Sequence, residues 1–178
     1  MSQFKTDDKQ DKSDEGLRHV VQRFVRNIER DALVIETLDL LRSQLNIDRV
    51  ALYYFYGQWK GQVTAEALSD SAYSIYGYTG ADNCFNDEYA ALYLKGRIHG
   101  IDNVATAEIA PCHREFLESI QVQANLVAPI LVSEELWGLI SAHNCQDACT
   151  WSSEDIARIK SAAQQIATAP SINFREEG

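Results

Sequence analysis

Residues 124–143 read Ala124-Asn-Leu-Val-Ala-Pro-Ile-Leu-Val132, Ser133-Glu-Glu135, Leu136-Trp-Gly-Leu-Ile-Ser-Ala-His143. Two apolar runs of strand length around a short polar break are the signature of a β-hairpin. Upstream, Val50-Ala-Leu-Tyr-Tyr-Phe-Tyr56 is a second dense run of β-branched and aromatic residues, stopped at Gly57 and followed at hairpin spacing by residues 61–68. That predicts a second pair of strands. Outside both hairpins the period changes. Leu17, Val20, Val21, Phe24, Val25 and Ile28, then Leu33, Leu38, Leu41 and Leu45, recur at helical spacing. Behind the last strand, Ser152 and Asp155 form a capping pattern for a helix over 152–169, whose apolar face is Ile156, Ile159, Ala163 and Ile166.

Between the hairpins, residues 69–81 are rich in Ser, Tyr and Gly and lack periodicity, which predicts a long loop of the kind that often carries function. Residues 86–96 read as a short helix and 98–107 as extended chain. Residues 111–121 read as another helix, with Pro111 in its first turn. This order predicts an α+β fold: a central antiparallel sheet with helices packed on it, the N- and C-terminal helices on one face. The expected boundaries are a polar tail over 1–14, one domain over 15–169, and a polar tail or linker over 170–178.

At 178 residues the chain suits one domain, and 46% hydrophobic with 24% charged residues is ordinary for a globular protein. A formal net charge of −10 opposes general nucleic-acid binding, because a polyanion is repelled before contact. No apolar run reaches the length of a membrane span, and the charged N-terminus lacks a signal-peptide core, so a cytoplasmic location is expected. In that compartment Cys84, Cys112, Cys145 and Cys149 are expected to be free, metal-binding or reactive rather than paired. Cys145 and Cys149 have no neighbour at zinc spacing beyond His143, so no metal site is expected.

Cys112-His113-Arg-Glu-Phe-Leu, followed by the 124–143 hairpin, resembles the chromophore-binding GAF domains of phytochromes and cyanobacteriochromes. Asp82-Asn83-Cys84-Phe85 resembles the Asp-Xaa-Cys-Phe motif of their dual-cysteine branch. The resemblance implies a covalent linear tetrapyrrole, phycoviolobilin or phycocyanobilin, anchored through ring A by a thioether to Cys112. It implies a second, light-reversible thioether from Cys84 to the central C10 bridge, which splits the conjugation and gives a violet or blue dark state. Cysteine addition needs thiolate character, and the first turn of a helix favours it. The competing reading of Cys112 is an inert buried cysteine.

By the same resemblance His113 packs against the tetrapyrrole, His143 lies near the ring D carbonyl, Asp82 faces the pyrrole N–H groups, and Arg97 holds a propionate. Each has a structural alternative: a satisfied core histidine, an N-cap of the helix from Asn86 for Asp82, and a surface ion pair for Arg97. Relatives carry Pro-Arg before the tryptophan that Trp151 matches, whereas this chain has Ala148-Cys149-Thr150 there. The implied partners are the bilin, and an output signalling domain or a second copy through the terminal helices. Rival functions are a GAF domain sensing a cyclic nucleotide and a thiol protein using Cys84 or Cys112 with His113 as base.

Overall fold

The computed structural model describes residues 7–79 and 85–173. Helices α1 (Asp7–Glu29) and α2 (Ala32–Leu45) lead into strands β1 (Arg49–Gly57) and β2 (Lys60–Leu68). Helix α3 (Asp87–Leu94), strand β3 (His99–Ile101) and helix α4 (Pro111–Ser119) follow. Strands β4 (Ala124–Val132) and β5 (Glu135–Asn144) and helix α5 (Ser153–Ile166) complete the order. The strands form one antiparallel sheet in the order β2-β1-β5-β4-β3.

Strand alternation gives the sheet two different faces. Val50 and Leu52 of β1, Leu126 and Ala128 of β4 and Ile140 of β5 point to the face where α2 and α5 lie. There they meet Leu38 and Leu41 of α2 and Ile159 and Ile166 of α5 in the main core, which Ile28 of α1 joins. The terminal helices thus share one face, as the sequence pattern requires. Leu38 is 1% exposed, and truncating such a side chain costs about 2–5 kcal/mol. The opposite face, formed by alternate residues such as Ala51, Val127 and Ser141, borders a cavity.

Local chemistry sets the element ends. Asp31 caps α2 by accepting from Leu33 N–H, and its second oxygen accepts from Ser171 N–H at 2.9 Å, tying the C-terminal segment to the start of the domain. Ser152 and Asp155 form the reciprocal capping box at α5 that their spacing predicts. The β4–β5 connection is a two-residue turn, Ser133-Glu134, with both residues at positive φ. Neither is the Gly or Asn that usually marks such a turn. In β2 the register slips: Leu52 pairs with Ala65, but Tyr53 pairs with Val63. The extra residue, Thr64, is a bulge that lets Ala65 join the main core while Val63 turns to the cavity.

Helix α1 begins at Asp7, within residues 1–14, and Ser171 and Ile172, within residues 170–178, are buried. One expectation is corrected. Residues 98–107 are strand only over His99–Ile101, because Asn103 Oδ1 accepts from Ala105 N–H and turns the chain. The loop after β2 is tethered over residues 69–79. Asp70 caps a single 3-10 turn at Ser71–Tyr73, and the Glu66 carboxylate accepts from Ser74 Oγ and from Ile75 N–H. Among the described residues no helix is long and apolar enough to cross a membrane.

Candidate functional site

The sheet face left open by α2 and α5 floors a cavity of about 260 Å³ that α3, α4 and the loop after β2 roof over. Its wall at one end is aromatic. Phe85 lies 5.3 Å from Phe55, 5.6 Å from Trp59 and 6.0 Å from Tyr93, ring centroid to centroid. Trp59 Nε1 donates to Asp87 Oδ1 at 2.7 Å, which fastens the β1–β2 turn to the first turn of α3. Asn86 caps that helix through Glu88 and Tyr89 N–H, so the capping role offered as the alternative for Asp82 is already filled.

A second part of the lining is basic, with the acidic Glu108 bordering the same cavity. Arg97, His99 and His113 all border the cavity. Burial, then the neighbouring Arg97 and His113, holds His99 below the ordinary histidine value. Arg97 is the group here whose guanidinium fork suits a carboxylate.

Helix α4 carries Cys112 in its first turn. Pro111 opens the helix, and Ala110 at the cap position offers no side-chain acceptor to the first-turn N–H groups beside Cys112. The Arg114 guanidinium donates to the carbonyls of Val104 and Ala107 (2.5 Å to Ala107), locking this turn onto the preceding loop. Cys112 is exposed, and Ala110 and His113 on either side of it line the cavity, so it stands at the rim. Its sulfur is in a disulfide, while Cys145 and Cys149 are free. The expectation of unpaired thiols therefore fails at Cys112, whose thiol must be released by reduction before it can act as a nucleophile.

The far end is a buried polar row. Arg49 is fully buried; its Nε donates to His143 Nδ1 at 3.0 Å, Nη1 to Tyr73 O at 2.6 Å and Nη2 to Ile120 O at 2.7 Å. These bonds satisfy a desolvated cation and rivet β1 to the loop after β2 and to the end of α4. Burial, reinforced by Arg49, holds His143 well below its ordinary value, so the ring is neutral. Asn125, the strand partner of His143, is 2% exposed, lines the cavity, and leaves its Oδ1 without a hydrogen-bond partner.

Of the residues singled out in the sequence, Arg97, His113 and His143 line one cavity and Cys112 stands at its rim, whereas Asp82 and Cys84 lie outside the described residues. Phe85, next after Cys84 in the chain, lines the cavity. Sequence reasoning missed His99, Arg49 and Asn125. The period-2 pattern held the signal for two of them, since Arg49 alternates with Ala51 and Tyr53, and Asn125 with Val127, on the cavity face. Trp151 bounds the fold rather than the cavity: its Nε1 donates to Ile101 O and its N–H to Asp102 Oδ1, both at 3.2 Å, and Cys149 N–H donates to Asp102 O. The segment that departs from the Pro-Arg pattern is therefore a clamp on β3.

The chain thus pairs an antiparallel sheet, its terminal helices on one face, with a cleft lined by aromatic and basic side chains on the other. The chain belongs to the GAF domain family, whose pattern it matches over residues 29–169. It is 46% identical over 154 residues to an uncharacterized protein of Picosynechococcus, covering 86% of this chain and 94% of that one. Among solved structures it is similar to the blue-light absorbing form of the PixJ GAF domain of Thermosynechococcus elongatus, with TM-score 0.70, 28% identity and coverage of 75% of this chain and 80% of that one. It is also similar to the phycocyanobilin-bound GAF domain of a cyanobacterial phytochrome, with TM-score 0.70, 26% identity and coverage of 86% and 91%.

Proposed function

We propose that this chain is a photoreceptor module that holds a linear tetrapyrrole, phycocyanobilin or phycoviolobilin, in the cavity on the open face of the sheet. The observation that carries this reading is the placement of Cys112 at the cavity rim with His113, Arg97 and His143 inside the same cavity. The lining fits the group: aromatic walls for a flat conjugated system, the Arg97 guanidinium for a propionate, and an unpartnered Asn125 Oδ1 for a ring N–H. The named relatives above support the class of ligand.

A bound bilin supplies light absorption and a double bond whose Z/E isomerisation changes the shape and polarity of what the pocket holds. In this reading the reduced Cys112 thiol adds across the ring A side-chain double bond, the sulfur bonding to carbon and its proton passing to the neighbouring carbon. His113 packs on the chromophore, Arg97 pairs with a propionate, His143 faces the ring D carbonyl and Asp82 the pyrrole N–H groups. Cys84 forms the reversible second link, so the dark state absorbs in the violet or blue and the photoproduct at longer wavelength. The chain turns over no substrate, and bilin attachment is its own only covalent chemistry. Its output passes through the terminal helices, to a following signalling domain or a second copy.

Co-expression with bilin-synthesis enzymes, with spectra before and after blue light and after acid denaturation, tests this reading. A covalently bound pigment with reversible spectral change is the expected result. A colourless protein after reduction and bilin supply overturns it, and binding of a cyclic nucleotide by that protein would establish the rival.

A further inference from the structure

Helix α4 is held unequally along its length. Leu117 and Ile120 bury its far end in a small core with Ile101, Val104 and Val122, and Ile120 O accepts from Arg49. The first turn lacks that burial: Pro111 and Cys112 are exposed, and Ala110 supplies no side-chain cap. A helix start of this kind is the part that frays. A disulfide tethers Cys112, but the thiol that adds to a bilin has been released from it. What then holds the turn is Arg114, the fourth helical residue, whose guanidinium reaches back and donates through Nη1 to Val104 O and through Nη2 to Ala107 O. A cation near a helix N-terminus opposes the macrodipole, so these two acceptors account for an arginine here.

The acceptors belong to a segment that is itself fixed. Asn103 accepts from Ala105 N–H through its side chain and from Thr106 and Ala107 N–H through its carbonyl. Val104 is buried, and its N–H donates to Gln123 O at 2.9 Å; Gln123 N–H in turn donates to Asn144 O at 2.8 Å, at the end of β5. A chain of hydrogen bonds thus runs from the first turn of α4 through Arg114, Val104 and Gln123 to the sheet that floors the cavity. We propose that Arg114 is a positioning residue for bilin attachment, its two-pronged grip holding the Cys112 sulfur in place at the cavity rim and so setting the rate of thioether formation. The inference rests on the tetrapyrrole reading. In the attachment step the thiol adds across the ring A side-chain double bond, sulfur to one carbon and its proton to the other, with nothing oxidised or reduced and no group leaving. Such a step is steep in distance, a misplacement of about 1 Å costing on the order of a hundredfold in rate. Affinity comes instead from the cavity lining, to which Arg114 does not belong. Loss of the grip therefore slows attachment and leaves binding alone.

The tests use the full chain with Cys84→Ala, so that labelling reports Cys112 alone, reduced, freed of reductant and mixed with phycocyanobilin. The attachment rate is read from pigment retained after acid denaturation, and affinity from the further variant Cys112→Ala, in which binding is an equilibrium. Arg114→Met should slow attachment about tenfold or more and leave affinity within about twofold. Arg114→Lys, which keeps a donor for the same carbonyls, should recover part of the rate. Methylguanidinium should speed attachment in Arg114→Ala and have no effect on the chain that retains Arg114. Attachment at an unchanged rate in Arg114→Met overturns the inference, as does a defect that neither lysine nor methylguanidinium relieves. Loss of affinity and rate by the same factor also overturns it, since Arg114 would then support the pocket as a whole. One check needs no substitution to fold: in the unaltered chain the Arg114 guanidinium protons should exchange slowly with solvent, and rapid exchange with free rotation removes the grip. Failure of the unaltered chain to bind phycocyanobilin sinks the tetrapyrrole reading instead.

Discussion

Asp48 Oδ2 accepts the backbone N–H of Cys145 at 2.9 Å, joining the residue before β1 to the residue after β5. Its other oxygen accepts from Ser69 Oγ at 3.0 Å and Gln146 Nε2 at 2.8 Å, so one carboxylate, 5% exposed, ties three segments at the same end of the sheet. Burial pushes its pKa up, but these bonds outweigh burial and hold it below the ordinary aspartate value. Asp48→Ala leaves a buried N–H unsatisfied and should cost about 2–3 kcal/mol in urea denaturation. A loss under about 0.5 kcal/mol would mean that water replaces the carboxylate freely.

Acid should weaken the fold in a defined window. Burial, then Arg49, depresses His143 well below 6.5, so the native ring stays neutral where the unfolded one takes up a proton. The stability this contributes is full above about pH 6.5 and declines as the pH falls below it. His99, depressed by burial, Arg97 and His113, acts in the same sense. Asp48 and Asp31, depressed from 3.8, act only at lower pH, where their protonation removes stability. In His143→Gln the amide oxygen still accepts from Arg49 but cannot titrate. Unfolding free energies measured from pH 7 to about 5 should fall less steeply in this variant than in the parent, and parallel curves would place the linkage elsewhere.

Removing Cys112 should remove the permanent anchor, since by the proposed function its thioether is present in both light states. Zinc-induced fluorescence of denatured Cys112→Ala on a gel should be absent or dependent on Cys84. Full labelling that does not depend on Cys84 would give the anchor to another residue.

Replacing Cys84 by Ala leaves that anchor and deletes the second link, so conjugation runs unbroken through the bilin. The dark-state absorption should move from the violet-blue to much longer wavelength, and iodoacetamide applied to the photoproduct should block return to the blue form. A dark spectrum unchanged by Cys84→Ala reduces Cys84 to a pocket residue.

The fold was legible where periodicity is strong. Both hairpins, the terminal helices and their shared face follow from patterns that burial enforces along whole elements. Less legible were features decided by one atom or one residue. The bulge at Thr64, which turns Val63 to the cavity, breaks the period without a glycine to mark it. The Ser133-Glu134 turn lacks the usual turn residues. For the cavity, the sequence pointed in advance to His113, Arg97 and His143 in the lining and to Cys112 at the rim. It was silent at Arg49 and Asn125, because a polar residue on an inward face gains meaning only from its cross-strand partner, and cross-strand pairing is not written in local sequence.

The loop after β2 turns back on the sheet: Val63 N–H donates to Tyr78 O, and Gly77 N–H donates to Val63 O, both at 3.0 Å. Strand β2 is an edge of the sheet, and these two bonds cover its outer side at the residue where the bulge has turned the chain. The Val63 amide is thereby a built-in reporter. Its deuterium uptake is slow only while the Gly77–Tyr78 backbone stays docked, so a rearrangement of this loop registers at one assigned amide without any spectral change in a ligand. Undocking also bares an unpaired strand edge, which links loop movement to self-association: conditions that speed exchange at Val63 are those in which the chain becomes prone to pair through β2.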